Sequence, residues 1–440
     1  MTTEPNGSTR AYAITGGVPL RGDIRISGAK NAATKEIVAA LLSDEPVTLH
    51  NVPDIGDVHV TLEMLKGLGA AVTFSDGTVT VDASGVSTPE VAEALSRKNR
   101  IPILLMGPLI HRFGEARIPA LGGCTIGARP VDFHLAALKA MGAVITCDEQ
   151  TYTASAKRLK GAVITLTYPS VGATENAMLA AVKAEGTTLI QNAAMEPEIL
   201  DLAKLLQAMG AIINLDVNRT WVIEGVPILH GAVHRIIPDR IEAASFMVAA
   251  AITGGDVFVR DARQDDLLSF LNALRRVGVP FRIEEDGIRV SKSERIFPIA
   301  LETDVHPGFM TDWQQPFVML LTQAEGVSIV HETVFEDRFG YTEALTRMQA
   351  NIQLHRECLG SKACRFVNRD YRHSAVIVGP TLLKAADIRI PDLRAGFSYL
   401  IAALIADGTS RLTNVELIER GYEDIIGKLK KLGAQIEVEG

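Results

Sequence analysis

The sequence predicts an α/β protein of two domains, assembled from six similar units of about seventy residues. The first indication is a helix-like segment that stops at a glycine or its equivalent and continues into an apolar run. The second is a turn followed by a strand, and the third is an Ala/Leu-rich helix before that strand. The helix stops recur 68 to 84 residues apart, at Gly69, Gly142, Gly210, Gly278, Gln349 and Gly433.

Each unit contains a helix, a strand, a second helix and a second strand, with further strands between units. The first strands follow turns, as at 44–49 and 185–190, and the helices before them, such as 173–183 and 241–252, are apolar on nearly every face. A helix without a polar face has to be buried. We therefore expect helices inside each domain and sheets outside.

Six units are compatible with one ring, with a solenoid, or with two domains of three units each. Three units amount to about 210 residues, which is a common domain size, whereas a single core of 440 residues would be unusual. The sequence therefore favours two similar domains with a cleft between them.

Composition limits the classes of function. A formal net charge of −8 argues against a general nucleic-acid surface but allows a small anionic ligand held by a few cations. The polar start of the chain lacks the features of a signal peptide, and the longest apolar stretches, such as 246–252, are too short to span a bilayer. With only four cysteines, the sequence predicts a reduced cytoplasmic protein that acts on small molecules, without a membrane or nucleic-acid partner.

Cys124 has the setting of a reactive thiol. It lies in the segment 122–132, Gly-Gly-Cys-Thr-Ile-Gly-Ala-Arg-Pro-Val-Asp, where glycines free the backbone, Arg129 adds positive charge and Pro130 can open a helix. Most cysteines are instead small buried hydrophobes, but those belong in apolar runs. We therefore interpret Cys124 as a functional residue.

The remaining cysteines, Cys147, Cys358 and Cys364, have no comparable setting. Cys358 and Cys364 are six residues apart, without a second pair or a histidine at ligand spacing, so the pattern supports neither zinc nor a redox pair. The chain also has no glycine-rich dinucleotide fingerprint. The sequence therefore predicts no metal and no cofactor.

Six segments spread over nearly the whole chain carry a family resemblance. They are 26–33 (Ile-Ser-Gly-Ala-Lys-Asn-Ala-Ala), the Cys124 segment through His134, 170–176 (Ser-Val-Gly-Ala-Thr-Glu-Asn), 238–242 (Pro-Asp-Arg-Ile-Glu), 392–395 (Asp-Leu-Arg-Ala) and 419–422 (Glu-Arg-Gly-Tyr). Together they resemble the UDP-N-acetylglucosamine 1-carboxyvinyltransferase family of enolpyruvyl transferases. The resemblance implies a two-domain inside-out α/β barrel of six βαβαββ-like repeats, three per domain. It also implies domain limits of 30–237 for one domain and of 1–29 plus 238–440 for the other.

The resemblance implies transfer of the enolpyruvyl group of phosphoenolpyruvate to the 3-hydroxyl of UDP-N-acetylglucosamine, with release of phosphate. This is the first committed step of peptidoglycan precursor synthesis. Cys124 matches the family cysteine that acts as acid, forms a covalent phosphoenolpyruvate adduct and is alkylated by fosfomycin. Asp312 matches the aspartate proposed as base for the sugar hydroxyl, although by itself an aspartate at this point is typical of a helix N-cap or an Asx-turn.

The same resemblance implies the residues that bind the substrates. Lys30 and Asn31 open an Ala-rich helix that can hold an anion, and Lys30, Arg129, Arg394 and Arg420 are expected to surround phosphoenolpyruvate. Taken alone, Lys30 would be an ordinary surface lysine. The implied catalytic residues are Cys124, Asp312, Lys30 and Arg394. The implied nucleotide-sugar residues are Arg100, Arg129, Pro130, Val131, Asp132, Phe133, Ser170, Val171, Gly172 and Val334.

Two features depart from the family. Tyr168 and Pro169 stand where a lysine is common, and the stretch between Gln349 and Asp392 is longer than expected. That stretch carries a basic cluster of Arg356, Lys362, Arg365, Arg369, Arg372 and His373. It is interpreted as a solvated insertion, or else as a segment that alters acceptor choice or oligomerisation. Alternative functions are enolpyruvyl transfer to another nucleotide and a catalytically silent nucleotide-sugar sensor.

Overall fold

The computed structural model describes residues 10–96, 98–119, 131–148, 150–361 and 364–440. Its contacts divide the chain into two compact units. The middle unit is Gly28–Ile237, and the terminal unit is Met1–Ser27 with Pro238–Gly440. Among the described residues, no helix is long and apolar enough to cross a membrane.

Backbone hydrogen bonds mark where one unit ends and the other begins. The N–H of Ala29 donates to the carbonyl of Ile237 (2.7 Å) inside the middle unit. The N–H of Asp239 donates to the carbonyl of Ser27 (2.8 Å) inside the terminal unit. Residues 28 and 29 therefore pack with the middle unit, whereas the family pattern would assign them to the other domain.

The strands are short throughout the described part of the chain. They are β1 (Ala11–Thr15), β2 (Arg21–Arg25), β3 (Val47–His50), β4 (Ala71–Ser75), β5 (Thr78–Asp82), β6 (Glu115–Pro119), β7 (Val144–Cys147), β8 (Thr151–Ser155), β9 (Val163–Thr165), β10 (Thr187–Gln191), β11 (Ile212–Asp216), β12 (Thr220–Glu224), β13 (Val233–Arg235), β14 (Asp256–Arg260), β15 (Phe281–Glu284), β16 (Gly287–Ser291), β17 (Ala300–Glu302), β18 (Gly326–His331), β19 (Asn351–His355), β20 (Ser374–Gly379), β21 (Asp387–Arg389), β22 (Thr409–Thr413) and β23 (Gln435–Glu439).

The helices of the same residues alternate with these strands. They are α1 (Lys30–Ala39), α2 (Gly56–Leu68), α3 (Glu93–Ser96), α4 (Met106–Phe113), α5 (Asp132–Ala140), α6 (Val171–Ala181), α7 (Pro197–Ala208), α8 (Arg240–Ile252), α9 (Leu268–Arg276), α10 (Thr311–Leu321), α11 (Thr342–Arg347), α12 (Leu393–Ile405), α13 (Glu416–Glu419) and α14 (Ile425–Lys431). Short 3₁₀ helices are Ala40–Leu42, Ile101–Leu105 and Gln264–Asp266.

The sheets share one pairing pattern. Within the described residues, the middle unit has the orders β13-β3-β5-β4, β6-β8-β7 and β11-β12-β10-β9, and the terminal unit has β21-β22-β1-β23, β15-β16-β14-β2 and β17-β18-β20-β19. Each four-stranded sheet has one edge strand parallel to its neighbour, and its other pairs are antiparallel. In the sheet of β6, an isolated parallel bridge from Glu90 to Arg117 lies where that edge strand would be.

Apolar helices form the core of each unit. In the terminal unit α8, α10 and α12 contact one another, and α8 is buried along 240–251. In the middle unit α4 packs on α6, and α6 is buried along 173–181. Each unit has its own hydrophobic cluster, so each core is built on helices without a polar face.

Residues with a left-handed backbone conformation end the helices that lead into the next strand. Gly69 after α2 has a φ of 107°, a conformation that costs glycine little. The equivalent position after α11 is Gln349, with a φ of 73°. A residue with a Cβ is strained there by about 1–2 kcal/mol. The fifth unit therefore stores strain at a position where the other units use glycine.

Replacing this glutamine with glycine should stabilise the terminal unit. For Gln349→Gly we expect the free energy of unfolding to rise by about 0.5–1 kcal/mol, because relief of strain exceeds the added freedom of the unfolded chain. Gln349→Ala removes the same exposed side chain but keeps the backbone strain, so the free energy of unfolding should not rise. The measurement is urea unfolding, monitored by the fluorescence of Trp313 in the terminal unit. Trp221, which lies in the middle unit, is replaced with Phe in all samples so that only the terminal unit is observed. Equal urea midpoints for Gln349→Gly and Gln349→Ala would show that the left-handed backbone at position 349 is not strained.

Candidate active site

The predicted site residues are distributed over both compact units, and most lie at the N-terminal ends of helices. Such ends carry unpaired N–H groups and partial positive charge, which favour anions. The middle unit holds Lys30, Asn31, Arg100, Val131, Asp132, Phe133, Ser170, Val171 and Gly172, and the terminal unit holds Asp312, Val334, Arg394 and Arg420. Cys124, Arg129 and Pro130 lie outside the described residues.

Lys30 is a held cation rather than a solvated surface lysine. It is the first residue of α1, and its ammonium lies 2.9 Å from the carboxylate of Asp57 in the first turn of α2. The two side chains are 18% and 8% exposed. One turn further on, the ammonium of Lys35 donates to the carbonyl of Asn31 (2.6 Å) and lies 3.6 Å from Glu175 of α6. The start of α1 therefore concentrates positive charge that is already partly paired.

Helices α5 and α6 bring several nucleotide-sugar candidates together. Gly172 lies so close to His134 that a Cβ on the glycine would be 3.1 Å from the imidazole. Burial, reinforced by the positive charge of Arg100, lowers the pKa of His134 to about 4, so the ring is neutral at physiological pH. Its buried Nδ1 has no hydrogen-bond partner among the described residues. His134 was not predicted as a binding residue. The sequence indicated it only by its place at the end of the Cys124 segment that carries the family resemblance.

Other candidates in the middle unit also shape the helix ends. Ser170 is the N-cap of α6, and its hydroxyl accepts a hydrogen bond from the N–H of Ala173 (3.4 Å). Val131 occupies the N-cap position of α5, and both Val131 and Phe133 pack against the core. Asp132, the first residue of α5, is exposed. Structural roles therefore account for part of the sequence pattern at these positions.

Asp312 lies between two arginines. Its Oδ1 accepts a hydrogen bond from Nη2 of Arg338 (2.5 Å), and Nε of Arg394 lies 3.3 Å from its Oδ2. The three side chains are 10% to 14% exposed. The N-cap of α10 is Met310, so the interpretation of Asp312 as an N-cap is wrong, because the helix begins one residue before the aspartate. Arg338 was not predicted, since it is 26 residues from Asp312 in the chain.

Arg394 is anchored at the start of α12. The N-cap residue Asp392 accepts a hydrogen bond from the N–H of Arg394 (2.8 Å), and the guanidinium donates to the hydroxyl of Tyr422 (3.3 Å). Burial lowers the pKa of Arg394, but nearby negative charges, chiefly Asp312, outweigh burial and raise it. Arg394 is therefore permanently charged and nearly buried. Arg420, which is half-buried, follows α13.

Glu332 connects the loop of Val334 to the start of α10. Its Oε1 accepts hydrogen bonds from the N–H groups of Val334 (2.8 Å) and Phe335 (3.0 Å), and its Oε2 accepts one from the hydroxyl of Thr311 (2.9 Å). Burial raises the pKa of Glu332, although these hydrogen bonds act in the opposite direction. The carbonyl of Val334 accepts a hydrogen bond from Arg365 (2.6 Å). Both the N–H and the carbonyl of Val334 are therefore held by hydrogen bonds.

The stretch between β19 and β20 is more than a solvated insertion. Its described arginines are exposed, but Cys364 and His373 are buried, at 9% and 0% exposure. The Sγ of Cys358 lies 3.5 Å from that of Cys364 and 3.4 Å from Nε2 of His373. The expectation that these cysteines lack histidine partners was wrong, because the fold brings in His373 and also His331 from β18.

Comparisons with known sequences identify the family. A family model described as EPSP synthase (3-phosphoshikimate 1-carboxyvinyltransferase) matches residues 14–429. A relative from Protochlamydia amoebophila named UDP-N-acetylglucosamine 1-carboxyvinyltransferase is 51% identical, over 97% of this chain and 93% of its own length. One of the same name from Halothermothrix orenii is 44% identical, over 97% of this chain and 98% of its own length.

Solved structures share the fold. The enolpyruvyl transferase NikO from Streptomyces tendae aligns with a TM-score of 0.86 at 26% identity and covers 98% of both chains. EPSP synthase from Acinetobacter baumannii aligns with a TM-score of 0.75 at 19% identity, over 98% of this chain and 100% of its own, which is a likeness of fold alone. With the mixed sheets of both units, these neighbours confirm the predicted two-domain α/β class. The chain therefore belongs to the EPSP synthase family of carboxyvinyltransferases and, within it, to the UDP-N-acetylglucosamine 1-carboxyvinyltransferases.

Proposed function

We propose that this chain transfers the enolpyruvyl group of phosphoenolpyruvate to the 3-hydroxyl of UDP-N-acetylglucosamine and releases phosphate, the first committed step of peptidoglycan precursor synthesis. The observation that carries the proposal is identity of 44% to 51%, over nearly the full chain, to relatives that bear this enzyme's name. Both substrates are small anions. We also propose a cytoplasmic location, because four cysteines in 440 residues give no sign of the disulfide framework that is typical of oxidising compartments.

The reaction needs proton transfer and positive charge. The sugar oxygen bonds to C2 of phosphoenolpyruvate while the methylene carbon gains a proton, and phosphate then leaves C2 as the new methyl group loses a proton. The protein has to supply an acid, an acceptor for the hydroxyl proton, and cations around phosphate and carboxylate. We assign the acid to Cys124, because its glycines and Arg129 favour a reactive thiol. The same thiol is the site at which we expect alkylation by fosfomycin.

We assign the proton acceptor to Asp312 and the positive charge to Lys30, Arg129, Arg394 and Arg420. The support for Asp312 is a carboxylate held between two guanidinium groups at a helix start, where its orientation is set before substrate arrives. Lys30 and Arg394 are each paired with a carboxylate. When an anionic ligand binds, each of these cations therefore exchanges a carboxylate of the protein for the ligand, and no disordered side chain has to become ordered.

The nucleotide-sugar is assigned to the ends of α5 and α6 in the middle unit, with the loop of Val334 in the terminal unit. Support comes from the neutral imidazole of His134, whose buried Nδ1 has no hydrogen-bond partner among the described residues, beside Gly172 and within the electrostatic reach of Arg100. A neutral ring whose nitrogen lacks a hydrogen-bond partner suits uncharged hydrogen-bonding groups, such as those of uracil or a sugar. The helix N-termini favour the diphosphate.

We further propose that the sheets are copies of one βαβαββ-like repeat, three per domain, arranged as an inside-out barrel with domain limits near 30 and 237. The shared pattern of one parallel edge pair per sheet supports this arrangement. So do the helix stops that recur 68 to 84 residues apart.

Transfer to a different nucleotide acceptor is the second candidate function. Tyr168 and the long stretch between Gln349 and Asp392, which both depart from the family pattern, favour it. A catalytically silent sensor has less support, because Lys30, Asp312 and Arg394 are all present and held in place.

Phosphate release from phosphoenolpyruvate by the full chain distinguishes these functions. UDP-N-acetylglucosamine, UMP and shikimate 3-phosphate are compared as acceptors. We expect turnover with UDP-N-acetylglucosamine and rates at least about 100-fold lower with the other two. Faster turnover with UMP would establish the second candidate, and no release with any acceptor would exclude an enolpyruvyl transferase.

Asp312→Asn tests the proton acceptor. We expect kcat to fall by about 10²–10⁴-fold with little change in KM for UDP-N-acetylglucosamine, because an amide keeps the shape but cannot take the proton. Asp337→Asn, a change of an exposed carboxylate in the same unit, is the matched control and should leave kcat unchanged. A kcat for Asp312→Asn within about threefold of the parent would remove Asp312 from the mechanism.

Cys124→Asp separates the acid from the alkylation site. Turnover should survive, because a carboxyl group also delivers a proton, while inactivation by fosfomycin should disappear with the thiol. The control Cys147→Ser should stay sensitive to fosfomycin. Inactivation of the Cys124→Asp variant, or an adduct found on another cysteine, would show that the assignment of Cys124 is incorrect.

A further inference from the structure

Four metal-ligating side chains converge in the terminal unit. His331 ends β18, His373 precedes β20, and Cys358 and Cys364 lie in the stretch between β19 and β20. One ligand atom of each residue lies within 4.8 Å of those of the other three. Both histidines are fully buried and Cys364 is 9% exposed, whereas Cys358 is half-buried, so the cluster lies mostly inside the protein.

Two distances within the cluster are close to the edges of a tetrahedron, and the remaining ones are at most 4.8 Å. The two sulfurs are 3.5 Å apart, and Sγ of Cys358 is 3.4 Å from Nε2 of His373. Tetrahedral zinc, with Zn–S of about 2.3 Å and Zn–N of about 2.0–2.1 Å, requires edges of roughly 3.3–3.8 Å. A disulfide would instead bring the sulfurs to about 2.05 Å.

In both histidines Nδ1 has a partner outside the cluster, which leaves Nε2 as the nitrogen available to a metal. Nδ1 of His331 lies 3.2 Å from a carboxylate oxygen of Glu302, and Nδ1 of His373 lies 2.9 Å from the carbonyl of Tyr371. These acceptors place the ring proton on Nδ1 and leave the lone pair on Nε2, as in metal-bound histidines. Nε2 of His331 is buried and has no hydrogen-bond partner among the described residues. A buried imidazole nitrogen without a partner is costly unless a ligand occupies it.

The surrounding chain holds these groups in position. The N–H and hydroxyl of Ser361 both donate to Glu302 (2.7 and 2.6 Å), which fixes the carboxylate behind His331. A Cβ on Gly360 would collide with His331 and Glu302, so glycine is required for this close approach. The N–H of Phe366 donates to Sγ of Cys364 (3.4 Å), a contact that stabilises a thiolate.

We propose that His331, Cys358, Cys364 and His373 form a structural zinc site. Two thiolates and two imidazoles are a donor set that zinc takes in closed four-coordinate sites. Because all four positions are filled by protein, the site has no room for a substrate and serves to join the stretch between β19 and β20 to β18.

The zinc site adjoins the loop of Val334. Glu332, which holds that loop, follows His331 directly, and Arg365, which donates to the carbonyl of Val334, follows Cys364 directly. Bound zinc would therefore fix the positions of Glu332 and Arg365, the two residues that hold the backbone of Val334. The effect on the nucleotide-sugar rests on the proposed function: loss of zinc should raise KM for UDP-N-acetylglucosamine more than it lowers kcat.

Metal analysis of the full chain, purified without chelator under reducing conditions, tests the site. We expect about one zinc per chain. After removal of zinc, Co²⁺ should bind with thiolate-to-cobalt charge transfer and strong tetrahedral d–d absorption. The double variant Cys358→Ser and Cys364→Ser should hold less than about 0.1 zinc per chain and show neither band, whereas the control Cys147→Ser should match the parent.

The cobalt spectrum of the unaltered chain does not depend on how well any variant folds. Less than about 0.1 zinc per chain together with no Co²⁺ uptake would overturn the proposal. So would a Cys358–Cys364 disulfide that persists after purification under reducing conditions, or zinc retained by the double variant. Phosphate release measured on the same samples keeps the two claims apart. A chain that binds zinc but is inactive would contradict only the proposed function, and an active chain without zinc would contradict only the metal site.

Discussion

The burial of helices that are apolar on nearly every side is the constraint on which the rest of the structure depends. α8, α10 and α12 in the terminal unit and α6 in the middle unit are enclosed so completely that only their ends can meet a ligand. Two candidate residues lie at such ends, since Asp312 is in the first turn of α10 and Arg394 is in that of α12. Lys30 begins α1, a helix that is buried along 32–34 and 36–39. Peptide N–H groups and the helix dipole favour anions at the same ends. Enclosing the helices therefore also determines where anionic substrates can be held.

Charge compensation keeps these ends ordered. Removing a charge from water is costly unless a partner of opposite sign stays close, and loss of one partner leaves the other uncompensated. Asp312 has Arg338 and Arg394, and Lys30 has Asp57. Each pair is mostly buried, so its geometry is set without substrate. A site of this kind loses little conformational entropy when an anion displaces one partner.

Features that depend on local signals could be predicted from the sequence. Gly69 ends a helix because it accepts a left-handed backbone, and Lys30 could be placed at a helix start from the alanines that follow it. Groups assembled by the fold could not be predicted. Arg338 reaches Asp312 across 26 residues, and the pairing of β18 with β20 brings His331 towards the cysteines. Sequence spacing reveals neither contact. The N-cap interpretation of Asp312 failed for another reason, since helix starts are uncertain by one or two residues.

The product of the reaction provides the most direct test of the assigned activity. Phosphoenolpyruvate labelled with ¹³C at C2 is incubated with UDP-N-acetylglucosamine and the full chain, and the products are examined by NMR. The assigned activity predicts a single vinyl ether, with the labelled carbon coupled to H3 of the N-acetylglucosamine ring and one phosphate released per ether formed. A vinyl ether on a different hydroxyl would contradict this activity. Phosphoenolpyruvate consumed while the nucleotide-sugar is recovered unchanged would contradict it as well.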